Sequence, residues 1–100
     1  MNLSSPVAAR LRQKLEAAFA PQTLVIDDES ARHAGHSGAR EGGESHFRLR
    51  IVSPAFAGLS RVERQRRVYA VLADEIAGGV HALALTTLTP EEAGKERAQF

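Results

Sequence analysis

Apolar side chains recur at every fourth position near the start of the chain. Val7, Leu11, Leu15 and Phe19 would share one face of a helix, with Arg10, Arg12 and Lys14 turned elsewhere. Ser5 is placed to cap that helix and Pro6 to occupy its first turn, where a missing N–H costs nothing; Pro21 ends it. Thr23 to Asp27 is short, apolar and β-branched, the pattern of a strand. Residues 28–44 then hold four glycines, two histidines and almost no apolar side chains. A loop of that length in a compact domain is functional or disordered, and a mobile loop is expected here. From Ser45 to Val52 the pattern alternates: Phe47, Leu49 and Ile51 on one side, His46, Arg48 and Arg50 on the other. This predicts a half-buried strand with a wet, basic outer face.

Ser53-Pro54 breaks the strand, and Ala55 to Gly58 reads as a turn. Ser60 and Glu63 have the S-x-x-E spacing of a capping box. They open a long helix over 60–77 with an expected apolar stripe of Val62, Tyr69, Leu72 and Ile76, widened by Val68. Gly78-Gly79 stops it, and Val80 to Thr86 forms a third strand. Thr89-Pro90-Glu91-Glu92 repeats the capping logic and starts a short last helix, with a polar tail over 94–100. The order is α-β-β-α-β-α. The first two strands can pair antiparallel, and the helical crossover makes the third parallel to the second. A three-stranded mixed sheet with the helices on one face follows, in a single α/β (α+β) domain spanning 1–100 with its core over about 5–93.

The charged fraction, 25%, is ordinary, and a net charge of +1 gives no bulk attraction to nucleic acid or to a membrane. Met1 to Pro6 lack the basic and apolar regions of a signal peptide. No apolar run approaches the ~20 residues needed to span a bilayer. The reading is a soluble cytoplasmic protein.

Cysteine is absent, so the chain offers neither a disulfide nor a thiol nucleophile. Four histidines remain. His33 and His36 form an H-x-x-H in the glycine-rich loop; His46 and His81 each stand at a strand start. Neutral imidazoles can bind zinc, copper or iron, but a thiophilic metal would need sulfur from another molecule. No third or fourth protein ligand is evident, so a site completed by a partner is easier to build than a closed structural zinc site. The plainer alternatives are a solvated polar loop for His33 and His36, a satisfied strand-end histidine for His81, and a structural role for His46. Arg61, Arg64, Arg66 and Arg67 cluster on the capped helix, either as phosphate contacts or as a solvated face. Glu63, Asp74 and Glu75 make no paired-carboxylate arrangement, Ser30 and Ser45 lack a base and its orienter, and no nucleotide-binding glycine motif occurs. Catalysis is not expected.

Taken in order, the short motifs acquire a shared meaning. Asp28-Glu29-Ser30, His33, Glu44-Ser45-His46-Phe47, Val52-Ser53, Phe56, Gly58, Arg64, Arg66, Val68-Tyr69, Val80-His81-Ala82-Leu83 and Thr89-Pro90-Glu91 together resemble the BolA family. The resemblance runs from about residue 5 to about residue 93. It implies a class II KH-like fold and partnership with a monothiol glutaredoxin: a monomer alone and a heterodimer around a shared [2Fe–2S] cluster. It further implies that the glutaredoxin cysteine and a glutathione thiolate hold one side of the cluster. The third-strand histidine, here His81, would hold the other, with a loop histidine matched by His33. Two imidazoles opposite two thiolates would be Rieske-type ligation. Some members are described as DNA-binding regulators, which keeps the Arg61–Arg67 helix as the alternative. The chain departs from the pattern twice. Gln65 stands where many members carry the histidine of Arg-His-Arg, and the longer loop adds His36, so either loop histidine remains a candidate.

Overall fold

A computed structural model describes residues 6–28, 46–80 and 82–98. The elements are α1 (Pro6–Phe19), β1 (Thr23–Asp28), β2 (His46–Val52), a 3-10 turn (Pro54–Phe56), α2 (Arg61–Val71), α3 (Ala73–Ala77), β3 (Ala82–Leu88) and α4 (Pro90–Ala98). The sheet runs β1-β2-β3, with β1 antiparallel and β3 parallel to β2, as the sequence predicts. The expected helical cap Ser5 lies outside the described residues. At its other end α1 closes with Ala20 in the left-handed region (φ 44°), its N–H donating to the Glu16 carbonyl at 3.0 Å, before Pro21.

Leu11, Leu15 and Phe19 of α1 are buried against Phe47, Leu49 and Ile51 of β2, joined by Phe56, Val68, Leu72 and Val80. Alternation along β2 therefore divides core from solvent as expected. Ser53, where the strand ends, is fully buried. Its hydroxyl donates to the Phe19 carbonyl (2.6 Å) and accepts from the Ala55 N–H (3.0 Å), tying the end of α1 to the 3-10 turn.

Four differences from the sequence reading have physical causes. The helix expected over 60–77 is two segments joined at Leu72 (φ −101°, ψ 16°), whose N–H and carbonyl nonetheless keep the Val68 and Ile76 bonds at 3.0 Å. The buried stripe of α2 and α3 is Arg64, Val68, Leu72 and Glu75; Val62 and Tyr69 face solvent. Two charged side chains with fixed partners took positions that an apolar pattern assigns to the surface. β3 starts and ends two residues later than expected, because Val80 belongs to the preceding helix stop and Thr87 is buried as a strand residue. Finally, α4 continues through Gly94 to Ala98 where a polar tail was expected. Its Glu96 pairs with Arg50, which β2 turns away from the core, so α4 lies at the end of the sheet and reaches towards its outer face.

Candidate functional site

Backbone register brings the chemistry-bearing segments to one end of the sheet. Asp28, the last residue of β1, is opposite Phe47, and His46, the first of β2, is opposite Ala82, the first of β3. The 29–45 segment therefore leaves and re-enters the sheet at the end where position 81 joins β3. His33, His36 and His81 themselves lie outside the described residues. His46 is described: it heads β2 and is exposed. Among the described residues, no three His, Cys, Asp or Glu side chains are grouped so as to hold a metal ion.

The approach to position 81 is built by a helix stop. The Val80 N–H donates to the Glu75 carbonyl (3.1 Å) and the Gly79 N–H to the Ile76 carbonyl (3.3 Å), the paired bonds of a Schellman motif. Gly79 takes φ +133°, a conformation that L side chains rarely adopt. That pair of bonds fixes the direction in which the chain leaves α3. A cleft of about 420 Å³ opens beside it, lined by Val7 and Arg10 of α1, Asp74 and Glu75 of α3, Gly78, Gly79 and Val80. Glu75 is buried but not unpaired. It accepts from the Lys14 ammonium at 3.0 Å and lies 3.8 Å from Arg10, clamping α1 to α3 on the cleft wall. The Glu75 hydrogen bond holds the Lys14 pKa above its ordinary value, with smaller support from Asp74.

At the other end of the sheet the basic helix is not what its sequence suggests. Arg64 is only 8% exposed. Its Nε donates to the Leu59 carbonyl (3.0 Å) and its Nη1 to the Thr87 carbonyl (3.0 Å). The same guanidinium grips both Glu92 oxygens at 2.7 and 3.1 Å, and it lies 5.9 Å from the Phe56 ring centre. Arg64 is thus removed from the candidate nucleic-acid contacts: it is buried, and four of its five N–H donors are spent inside the fold. Arg66 and Arg67 remain exposed, 3.9 and 3.4 Å from Glu63, and Arg61 is exposed. The Ser60 hydroxyl caps α2 by accepting from the Glu63 N–H at 3.1 Å.

Glu92 closes the second box. Its carboxylate accepts from the Thr89 N–H (2.9 Å), and the Thr89 hydroxyl accepts from the Glu92 N–H (3.1 Å). The T-x-x-E spacing was legible; the arginine that joins it from 28 residues away was not. Hydrogen bonds from Arg64, then from the Thr89 backbone, hold the Glu92 carboxyl at about 2 against an ordinary 4.5. A depressed carboxyl pKa stabilises the fold at pH values above the unfolded-state pKa. That stability is lost as pH falls through the folded-state value. The urea midpoint should therefore fall between about pH 4.5 and about pH 2, and Glu92→Gln should flatten the fall. An unchanged pH slope in the variant would remove Glu92 from the acid response.

No helix among the described residues is long and apolar enough to cross a membrane. The family model for the BolA-like protein matches residues 15–92. Protein BOLA1, chloroplastic, of Arabidopsis thaliana is 45% identical over 85% of this chain and 54% of its own length. BolA-like protein 1 of Homo sapiens is 46% identical over 87% of this chain and 61% of its own. SufE-like protein 1, chloroplastic/mitochondrial, of Arabidopsis thaliana is 47% identical over 83% of this chain but only 24% of its own. The chain thus spans between a quarter and two thirds of the length of these curated relatives. Among solved structures, BolA1 from Arabidopsis thaliana superposes with a TM-score of 0.76 at 39% identity, covering 92% of this chain and 97% of that one. The BolA domain of SufE1 from Arabidopsis thaliana gives the same TM-score at 46% identity, covering 91% and 99%. Yeast Fra2, at 21% identity and a TM-score of 0.60 over 95% of this chain and 88% of its own, shares the fold. Sequence, register and fold agree, and the chain belongs to the BolA-like protein family.

Proposed function

We propose that this protein is a non-catalytic partner of a monothiol glutaredoxin and co-ligates a [2Fe–2S] cluster with it. His81 would supply one imidazole and a loop histidine the other, His33 in the first place with His36 as the alternative. The thiolates would come from the glutaredoxin cysteine and glutathione, since this chain has no cysteine. The observation that carries the reading is the sheet register: the 29–45 segment, with its two histidines, meets the sheet at the end where position 81 joins β3. A donor set of imidazoles alone suits half of such a site, because histidine on one iron opposite thiolates on the other is an established ligation mode. Membership of the BolA family supports the same partner.

The output would be iron–sulfur trafficking or iron and redox sensing. Imidazole in place of thiolate raises the cluster's potential, and it binds only when neutral, so both redox state and pH could be read. Two relatives are named as chloroplastic or chloroplastic/mitochondrial; a cytoplasmic setting for this chain is part of the proposal. The test is a visible circular dichroism titration into a monothiol glutaredoxin that holds a [2Fe–2S] cluster with glutathione. A changed spectrum that saturates near one-to-one is expected. An unchanged spectrum would sink the proposal for that partner.

A further inference from the structure

α2 leaves two large apolar side chains in solvent. Val62 is 58% exposed and Tyr69 is 42% exposed. They are seven residues apart, two helical turns, and so share a face. Arg66 lies between them on that face with its side chain 74% exposed, and exposed Ala73 continues the line into α3. Nothing in the core needs these residues, since Arg64, Val68 and Leu72 make the buried side. Single exposed apolar residues are ordinary. Here a tyrosine and a valine bracket an arginine on one face of a helix that carries four arginines and no lysine. Aromatic residues and arginine are enriched, and lysine depleted, at the centres of protein interfaces.

The charge on this surface selects the occupant. Arg66 lies on it and Arg67 flanks it, and Glu63, the one carboxylate paired with either among the described residues, approaches both and cannot neutralise the two. A second copy of this chain would set arginines against arginines in a two-fold contact, which costs rather than stabilises. Duplex DNA would satisfy the arginines but press Val62 and Tyr69 against phosphates. We propose that the outer face of α2, centred on Val62, Arg66 and Tyr69, docks an acidic protein segment that carries an apolar side chain. The start of α2 lies beside Leu88, at the end of the sheet opposite position 81. The proposal does not rest on the shared-cluster reading, since none of these residues is a proposed ligand.

The experiment is a titration of the isotope-labelled full chain, followed by amide NMR shifts. The probes are a synthetic peptide with glutamate and leucine at helical spacing, its lysine-for-glutamate counterpart, and a mixed-sequence DNA duplex. The acidic peptide should move amides centred on residues 61–70, and the lysine peptide should not. Tyr69→Ser and Arg66→Glu should each weaken the acidic peptide about tenfold, whereas Lys95→Ala should not. All three positions are exposed, so circular dichroism should show the variants folded. Residues 61–70 unmoved by the acidic peptide would overturn the proposal. So would DNA moving them where the peptide does not.

Discussion

Arg64→Ala should lower the unfolding free energy by about 3 kcal/mol, the largest loss expected from a single polar side chain in this fold. The cost does not come mainly from the ion pair. Glu92 is 43% exposed at its side chain, so water screens the pair and would solvate the carboxylate left behind. It comes from the other partners. The Leu59 and Thr87 carbonyls would lose their guanidinium donor, and the Thr87 carbonyl hydrogen bond is buried. The space over Phe56 would open as well. One guanidinium ties together the turn before α2, the end of β3 and the start of α4. Its removal should loosen three elements at once. Arg64→Lys keeps the charge but cannot reach four acceptors from one point, and should recover less than half of the loss. Urea unfolding at unchanged m would measure both variants, and a double-mutant cycle with Glu92→Ala would separate the pair from the carbonyl contacts. A loss under about 1 kcal/mol for Arg64→Ala would mean that water replaces the guanidinium at little cost. The same result governs any DNA assay, because weakened DNA binding by this variant would report a damaged fold and not a missing phosphate contact.

The fold was more legible than the roles of its charged residues, for a physical reason. β2 could be read residue by residue, since its alternation is enforced by a core on one side and solvent on the other, and register is strongly specified under those conditions. The stop at Gly78-Gly79 was equally plain, because only a residue free to take positive φ closes a helix that way. α2 was misread because apolar periodicity locates a buried face only when the buried residues are apolar. Arg64 and Glu75 are both buried, each held by partners distant in sequence: Glu92 and Thr87 for one, Lys14 for the other. No local pattern announces such pairings. The misreading had a second consequence, since assigning Val62 and Tyr69 to the core hid the one face of α2 that is apolar and exposed. The candidate histidines stand out by type and by position in the motif order. What the sequence alone could not supply was the register that takes the 29–45 segment and position 81 to the same end of the sheet.

His81→Ala should abolish the change in visible circular dichroism seen with a cluster-loaded monothiol glutaredoxin, or reduce it to that of a protein contact without ligation. If an imidazole at position 81 is a ligand, its loss should exceed the ~10–100-fold weakening typical of changes in outer-shell partners. The loop histidines should behave differently. Two imidazoles three residues apart on one glycine-rich segment can substitute for each other more readily than either can for a residue that directly precedes β3 in the chain. His33→Ala should therefore weaken the complex, and the His33→Ala/His36→Ala double variant should match His81→Ala. pH supplies an independent readout. An ordinary imidazole titrates near ~6.5, and a protonated one cannot ligate, so cluster retention should fall between about pH 7.5 and about pH 5.5. Retention that is flat across this range would remove histidine ligation while leaving the protein contact intact. A His81→Ala complex that keeps the full spectral change would move the ligands to the loop. None of the proposed ligands lies on the α2 face, so Arg66→Glu should leave all of these measurements unchanged, and an effect there would join the two surfaces into one interface.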